Sequence, residues 1–287
     1  MKKVLIFVVA YHAESHIVSV LERIPKEIWD SEKYTSEILI IDDASADRTK
    51  QVCDIYKETR RRFNLKVLRN PVNQGYGGNQ KIGYLYAIKN NFDIVVLLHG
   101  DGQYAPECLC AMIEPIVSGD ADFVIGSRML NKLNALKGGM PLYKFIGNRI
   151  LTFLQNRIIK TRLSEFHSGY RAYNVKALRS LPFQCNSNDF DFDTDIIIQM
   201  LDNKYRIKEI PIPTFYGDEI CYVNGFKYAW DIIKNSIISR LQCVSIIYEP
   251  KFDYSHGNFI YESKVDFPSS HSYALGQIED NSIILDL

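Results

Sequence analysis

Ile94-Val95-Val96-Leu97-Leu98-His99-Gly100-Asp101-Gly102-Gln103 decides the fold. Five apolar residues in succession, without polar alternation, describe a strand covered on both faces, and such strands belong to parallel sheets. The run stops abruptly in a glycine-containing turn that carries a carboxylate and an amide two residues apart. Similar apolar runs occupy residues 4–10, 38–41, 66–68 and 123–125, and amphipathic segments of helical length (17–24, 49–63, 80–89 and 106–117) lie between them. Strands joined through helices run parallel, so residues 1–128 are predicted to form an α/β, doubly wound, mostly parallel sheet with helices on both faces.

In such sheets ligands bind outside the carboxyl ends of the strands, near the point where strand order reverses. Those ends read Ala10-Tyr11-His12-Ala13-Glu14, Asp42-Asp43-Ala44-Ser45, Arg69-Asn70-Pro71 and His99 to Gln103, which crowds polar and acidic groups along one edge. Beyond Arg128 the pattern loosens into a glycine-containing loop (131–141), a helix near 143–159, the segment Glu165-Phe166-His167-Ser168-Gly169-Tyr170-Arg171, a helix near 194–201 and a strand at 206–210. This half is expected to elaborate the sheet rather than fold by itself. A C-terminal amphipathic helix, 225–244, sets Phe226, Trp230, Ile233, Ile237 and Leu241 at helical spacing. Its stripe either packs on the sheet or another subunit, giving a homo-oligomer, or lies in a membrane interface beside Lys227, Lys234 and Arg240.

The 34 basic and 34 acidic side chains of the 287-residue chain cancel, which argues against nucleic acid as a partner. Six cysteines without a C-x-x-C pair indicate neither a zinc site nor a disulfide framework, and point to a reducing cytoplasm. No apolar stretch approaches the roughly 20 residues that span a bilayer, so any membrane contact is expected to be peripheral.

Two groups of side chains carry candidate chemistry. Either Asp42 or Asp43 could accept the imide N–H of a uracil or the N1–H and amino group of a guanine, and the sequence leaves that choice open. Asp47 suits a helix cap. Asp101 and Gln103 offer oxygen ligands to a hard divalent cation, which is commonly held by one or two carboxylates plus substrate phosphates.

Six segments occur in order: Ala10-Tyr11-His12-Ala13-Glu14, Ile41 to Thr49 with its Asp42-Asp43 pair, Asn73-Gln74-Gly75-Tyr76-Gly77, Asp101-Gly102-Gln103, Gly126-Ser127-Arg128 and Ser168-Gly169-Tyr170-Arg171. Together, over roughly residues 4–225, they resemble family 2 glycosyltransferases of the GT-A fold, most of all the dolichol-phosphate mannose synthase and polyprenyl-phosphate glycosyltransferase type. The resemblance implies a GT-A domain over 1–245, with a nucleotide-sugar half (1–128) and an acceptor half (129–245). It implies inverting, metal-dependent transfer from a UDP- or GDP-sugar to a polyprenyl phosphate or a glycan, with Mg²⁺ or Mn²⁺ as cofactor.

Carried over by position, Tyr11 and Glu14 match residues lining the base and ribose pocket, with Ala10, Asp42 and Asp43 beside them. Asp101 matches the second aspartate of the D-x-D motif and Gln103 the glutamine after it. His99 stands where the first aspartate is usual, and a neutral imidazole suits Mn²⁺ better than Mg²⁺. Arg128 and Arg171 match positions near the donor or acceptor phosphates, where a guanidinium fork binds well. Asp195, and after it Asp193, match acids near the acceptor. Gly75 is expected either to let the backbone approach the donor or to make a turn. Two rivals are a catalytically silent nucleotide-sugar binding module, which His99 encourages, and a sugar-phosphate nucleotidyltransferase. The latter calls for a glycine-rich turn with arginine after the first strand, and none occurs. The last residues, Ser282-Ile283-Ile284-Leu285-Asp286-Leu287, resemble the first strand of a class I methyltransferase. The tail, 246–287, is therefore expected to begin a second catalytic domain.

Overall fold

Successive residues of a strand point to opposite faces, and in β1 (Lys2–Ala10) both sets are apolar. Val4, Ile6 and Val8 join one buried cluster, and Leu5 and Phe7 join another. The sheet is therefore covered on both sides, as the unbroken apolar runs predict. The computed structural model describes residues 1–60, 64–131, 135–136, 138–215 and 224–254. Within them β2 (Tyr34–Asp42), β3 (Leu65–Arg69), β4 (Ile94–His99), β5 (Phe123–Ser127), β6 (Arg171–Asn174) and β7 (Ile207–Pro211) complete a seven-stranded sheet in the order β3-β2-β1-β4-β6-β5-β7.

Helices α1 (Ile17–Glu22), α2 (Thr49–Thr59) and α4 (Leu109–Val117) cover the first face through Val20, Cys53 and Met112. The second is covered by α3 (Tyr76–Lys89), α6 (Val175–Arg179) and α7 (Phe192–Asp202) through Tyr84, Leu178 and Ile196. Two long helices, α5 (Leu142–Ile159) and α8 (Gly225–Cys243), pack on each other. The one compact unit they all belong to runs from Met1 to Tyr254. The expected methyltransferase-like strand at 282–287 falls outside the described residues.

Register sets the functional edge. Ala10 pairs with Asp42, Val9 with His99, and Asp42 with Arg69, so β1 to β4 end level. The chain winds outward through β2 and β3, then returns to the other side of β1 with β4, which makes the β1/β4 boundary the switch point of the sheet.

One strand was not legible in the sequence. Arg171-Ala172-Tyr173-Asn174 is too short and too polar at its ends to announce itself, yet it inserts between β4 and β5 and runs antiparallel to both. The start of an antiparallel strand lies where its parallel neighbours end, so the 165–170 segment is delivered to the functional edge. Helix α3 also starts earlier than residue 80, because Gly75 takes a left-handed φ of 80° that turns the chain into it.

A short turn, Pro250–Phe252, locks the end of the unit. Lys251 donates to both carboxylate oxygens of the wholly buried Asp195 at 3.0 and 3.1 Å, and its carbonyl accepts from Gln199 Nε2 at 2.7 Å. Burial raises the Asp195 carboxyl to about 6 against the pull of the ammonium. Lys251→Met should therefore cost about 3 kcal/mol at pH 7, since it strands a buried charge. The loss should shrink at pH 5, where the carboxyl takes up a proton, and Asp195→Asn combined with Lys251→Met should recover most of it. Urea unfolding at the two pH values measures all three.

Candidate active site

The level strand ends open onto a cavity of about 1660 Å³, large enough for more than one small ligand. Its floor is the switch point, where Val9, Ala10 and Tyr11 leave β1 and His99 leaves β4. Its far wall is α5 and the start of α8.

At the end of β2 the two members of the acidic pair differ in surroundings. Asp42 is fully buried, accepts from the backbone N–H of Ser45 at 3.1 Å and from its hydroxyl, and faces Arg69 at 3.6 Å. It lies outside the cavity lining. Asp43 is on the lining, with one oxygen held by Asn70 Nδ2 at 2.7 Å and the Gln74 N–H at 2.9 Å. His12 and Ala44 take left-handed φ values of 50° and 58° in the loops beside these carboxylates. Strain of that kind persists where surrounding structure over-determines it, and here the His12 N–H donates to Ser45 Oγ at 3.0 Å, tying one loop to the other. Tyr11 is exposed on the rim, stacked on His12. Glu14, expected in the base pocket, is not a lining residue; its carboxylate instead accepts the Arg48 N–H at 2.6 Å. Gly75 lines the cavity, but its N–H donates to Asn73 Oδ1. Close approach there serves the protein itself, since a Cβ on Gly75 would meet the Asn188 carbonyl at 2.6 Å and one on Gly77 would meet the Ser187 carbonyl at 2.5 Å.

Asp101, Gln103 and His99 all face the cavity. Asp101 accepts the Gln103 N–H at 3.0 Å across the turn that Gly102 makes at φ 82°, so the dipeptide is both a tight turn and an oxygen donor. Among the described residues no three His, Cys, Asp or Glu side chains converge as a closed metal cage. An open carboxylate with an amide beside it suits a hard cation that takes most of its ligands from phosphates and water. His99 is packed edge-on against Tyr104 at 4.8 Å, and its Nε2 is buried without a hydrogen bond against Gly169. Burial holds the ring below its ordinary pKa against the pull of Asp101 and Asp193, so it is neutral at neutral pH.

Beyond β4 the structure separates the two acids expected to act together, Asp193 and Asp195. Asp193 lines the cavity, accepting from Tyr76 Oη at 2.9 Å and Gln80 Nε2 at 3.3 Å. Asp195, on the same helix, turns away to Lys251, Asn235 and the Ser187 N–H. Arg171, expected at a phosphate, has no exposed surface and lies behind Asp193. It donates to the carbonyls of Ser168, Asp193 and Phe166 at 2.8, 2.8 and 3.0 Å, and pairs with the Asp193 carboxylate at 3.4 Å. Arg128 does reach the cavity, and its backing was missed in the sequence. Glu165, fully buried, accepts the Arg128 N–H at 2.7 Å and Nε at 3.0 Å as well as Asn148 Nδ2 at 2.8 Å. Nothing in the spacing of Glu165 from Arg128 signals this pair, because it forms only when β6 brings the 165–170 segment beside the end of β5.

His167 was also missed. Its Nδ1 lies 2.9 Å from Tyr228 Oη, which joins the 165–170 segment to α8, and its Nε2 is buried without a partner. Burial lowers its pKa to about 4. The unfolded imidazole binds a proton near pH 6.5 and the folded one does not until about pH 4, so stability is lost as pH falls between those values. The stability difference between the wild type and His167→Gln should shift by up to about 3 kcal/mol on going from pH 7 to pH 4, measured by urea unfolding. A pH-independent difference would mean that the ring titrates freely.

The geometry agrees with what the chain is similar to. A family model, glycosyl transferase family 2, matches residues 5–181. The UDP-N-acetylglucosamine–dolichyl-phosphate N-acetylglucosaminyltransferase of Methanococcus voltae is 28% identical over 227 residues, which cover 76% of this chain and 87% of that one. The undecaprenyl-phosphate mannosyltransferase of Micrococcus luteus is 28% identical over 190 residues, 64% of this chain and 74% of the relative. Among solved structures, glucosyl-3-phosphoglycerate synthase from Mycobacterium tuberculosis, in complex with Mn²⁺, UDP and glucosyl-3-phosphoglycerate, superposes with a TM-score of 0.60 at 16% identity. That alignment covers 86% of this chain and 81% of the other, a likeness of fold. With the family model spanning more than half its length and the cavity at the switch point of a GT-A sheet, this chain is a glycosyltransferase and belongs to glycosyl transferase family 2.

Proposed function

We propose that this enzyme moves a hexose from a UDP- or GDP-sugar to a polyprenyl phosphate, with inversion at the anomeric carbon and with a divalent cation at Asp101. The observation that carries this reading is the layout of the cavity. The lining brings together the carboxylates of Asp43 and Asp101 from just beyond β2 and β4, Arg128 from just beyond β5 and Asp193 from α7, with apolar side chains of α5 and α8 beside them. The polyprenyl- and dolichyl-phosphate acceptors named for two relatives favour the same acceptor class.

In this reading Asp43, rather than Asp42, reads the base, because only Asp43 reaches the cavity. Asp101 and Gln103 hold the cation, which when bound neutralises charge on the departing nucleoside diphosphate. Arg128 supplies fixed positive charge to a phosphate, and Glu165 keeps its guanidinium oriented at no cost of reorganisation during reaction. Asp193, held by Tyr76 and Gln80, positions the acceptor. A phosphate acceptor is already ionised at neutral pH and needs no base, whereas a hydroxyl acceptor would require one within hydrogen-bond reach.

Titration calorimetry with UDP and GDP, with and without Mn²⁺, should show metal-dependent binding of one nucleotide that Asp101→Asn weakens about tenfold or more. Binding unaffected by both metal and substitution would overturn the proposed cation site. Asp193→Asn separates the acceptor classes. Transfer should fall only about tenfold with a phosphate acceptor, and by about 10² to 10⁴ if the residue were a base for a hydroxyl.

A further inference from the structure

Helices α5 and α8 are built inside out. The side of α5 turned to the protein buries Thr152, Gln155 and a single apolar residue, Ile159, while Leu142, Tyr143, Ile146, Ile150, Phe153 and Leu154 face water. At 3.6 residues per turn those six lie within an arc of about 120°. The same inversion holds in α8, which buries Asn235, Ser236 and Ser239 with a single apolar residue, Ile232, and exposes Phe226 (94%), Trp230 (71%) and Ile237. A surface helix of a water-soluble protein has the opposite arrangement, and exposed apolar faces on two helices that pack on each other mark an interaction surface. Two further observations select what covers it. Helix α5 carries Lys144, Arg149 and Arg157 and no acidic residue, in a chain whose charges balance as a whole. The face also runs into the cavity, because Tyr143, Ile150 and Phe226 belong to both.

We propose that the α5–α8 face lies on an anionic lipid surface, with the apolar stripe in the acyl boundary and Arg149 and Arg157 of α5 at the headgroups, so that the mouth of the cavity opens toward the membrane. The sequence alone offered only the 225–244 helix for such contact; the structure makes α5 the larger part. Among the described residues no helix is long and apolar enough to cross a membrane, so the contact is one of lying on the surface. The proposal deepens the polyprenyl-phosphate reading and rests on it for its purpose, since an acceptor with its phosphate in the cavity would lead its chain out along this face.

The test is sedimentation of the full-length protein with vesicles of phosphatidylcholine alone and of phosphatidylcholine with phosphatidylglycerol. Binding should be strong only with phosphatidylglycerol, should weaken as salt is raised, and should fall about tenfold or more in the triple variant Ile146→Glu, Phe153→Glu, Trp230→Glu. None of these three lines the cavity. The variant should keep the wild-type unfolding midpoint and its transfer to a short-chain, water-soluble prenyl phosphate. No vesicle binding, equal binding to both vesicle types, or a dimer that the triple variant splits into monomers would each overturn the proposal. If vesicles are bound but no prenyl phosphate is glycosylated, the acceptor reading fails while the docking surface stands.

Discussion

Arg171 carries a full charge with no exposed surface, and the part of the cavity around Asp193 is assembled on it. Removing such a charge from water costs several kcal/mol unless its donors are met. Here three backbone carbonyls and the Asp193 carboxylate meet them. Those acceptors come from the 165–170 segment and the first turn of α7, so a single side chain on β6 fixes the spacing between two elements that the sheet does not connect directly. Asp193 reaches the cavity because Arg171 stands behind it.

The electrostatic plan of the cavity follows from a few such backed residues. Two of its acids, Asp43 and Asp101, come from just beyond β2 and β4, where level register places both at one edge of the sheet, and Asp193 comes from α7. Positive charge comes from Lys144 and from Arg128, which Glu165 holds from behind with nearly all of the pair out of water. Of the four imidazoles in the lining, two, those of His99 and His167, are pushed toward neutrality by burial. They add shape and apolar contact rather than cationic charge. Fixed dipoles and charges set before substrate arrives are what lower a barrier in transfer of a charged leaving group.

The inverted helices change how the second half of the chain is understood. In the first half, apolar residues point inward and the sheet explains every helix. In α5 and α8 polar side chains hold the helices to the body through contacts such as Gln155 Nε2 to Thr194 at 3.3 Å and Asn235 Nδ2 to Asp191 at 2.9 Å, leaving the apolar face outward. The amphipathic pattern of 225–244 was visible in the sequence, but periodicity is blind to which side of a helix meets the protein.

The sequence by itself determined the α/β class, six of the seven strands, the edge on which the site lies and the family resemblance. These follow from unbroken apolar runs and from short polar motifs at strand ends, both of which are local properties of the chain. Only the tertiary structure decided which member of each acidic pair reaches the cavity, placing Asp43 there and not Asp42, and Asp193 and not Asp195. Adjacent or near-adjacent side chains diverge by the geometry of a turn or of a helix, and motif spacing does not record that divergence. It also decided that Arg171 is a buried brace, that Glu165 backs Arg128 and that Asp195 pairs with Lys251, because each of these contacts joins residues far apart in the chain. The physical reason is the same in every case: hydrophobic pattern is written residue by residue, whereas the partner of a buried charge is chosen by packing.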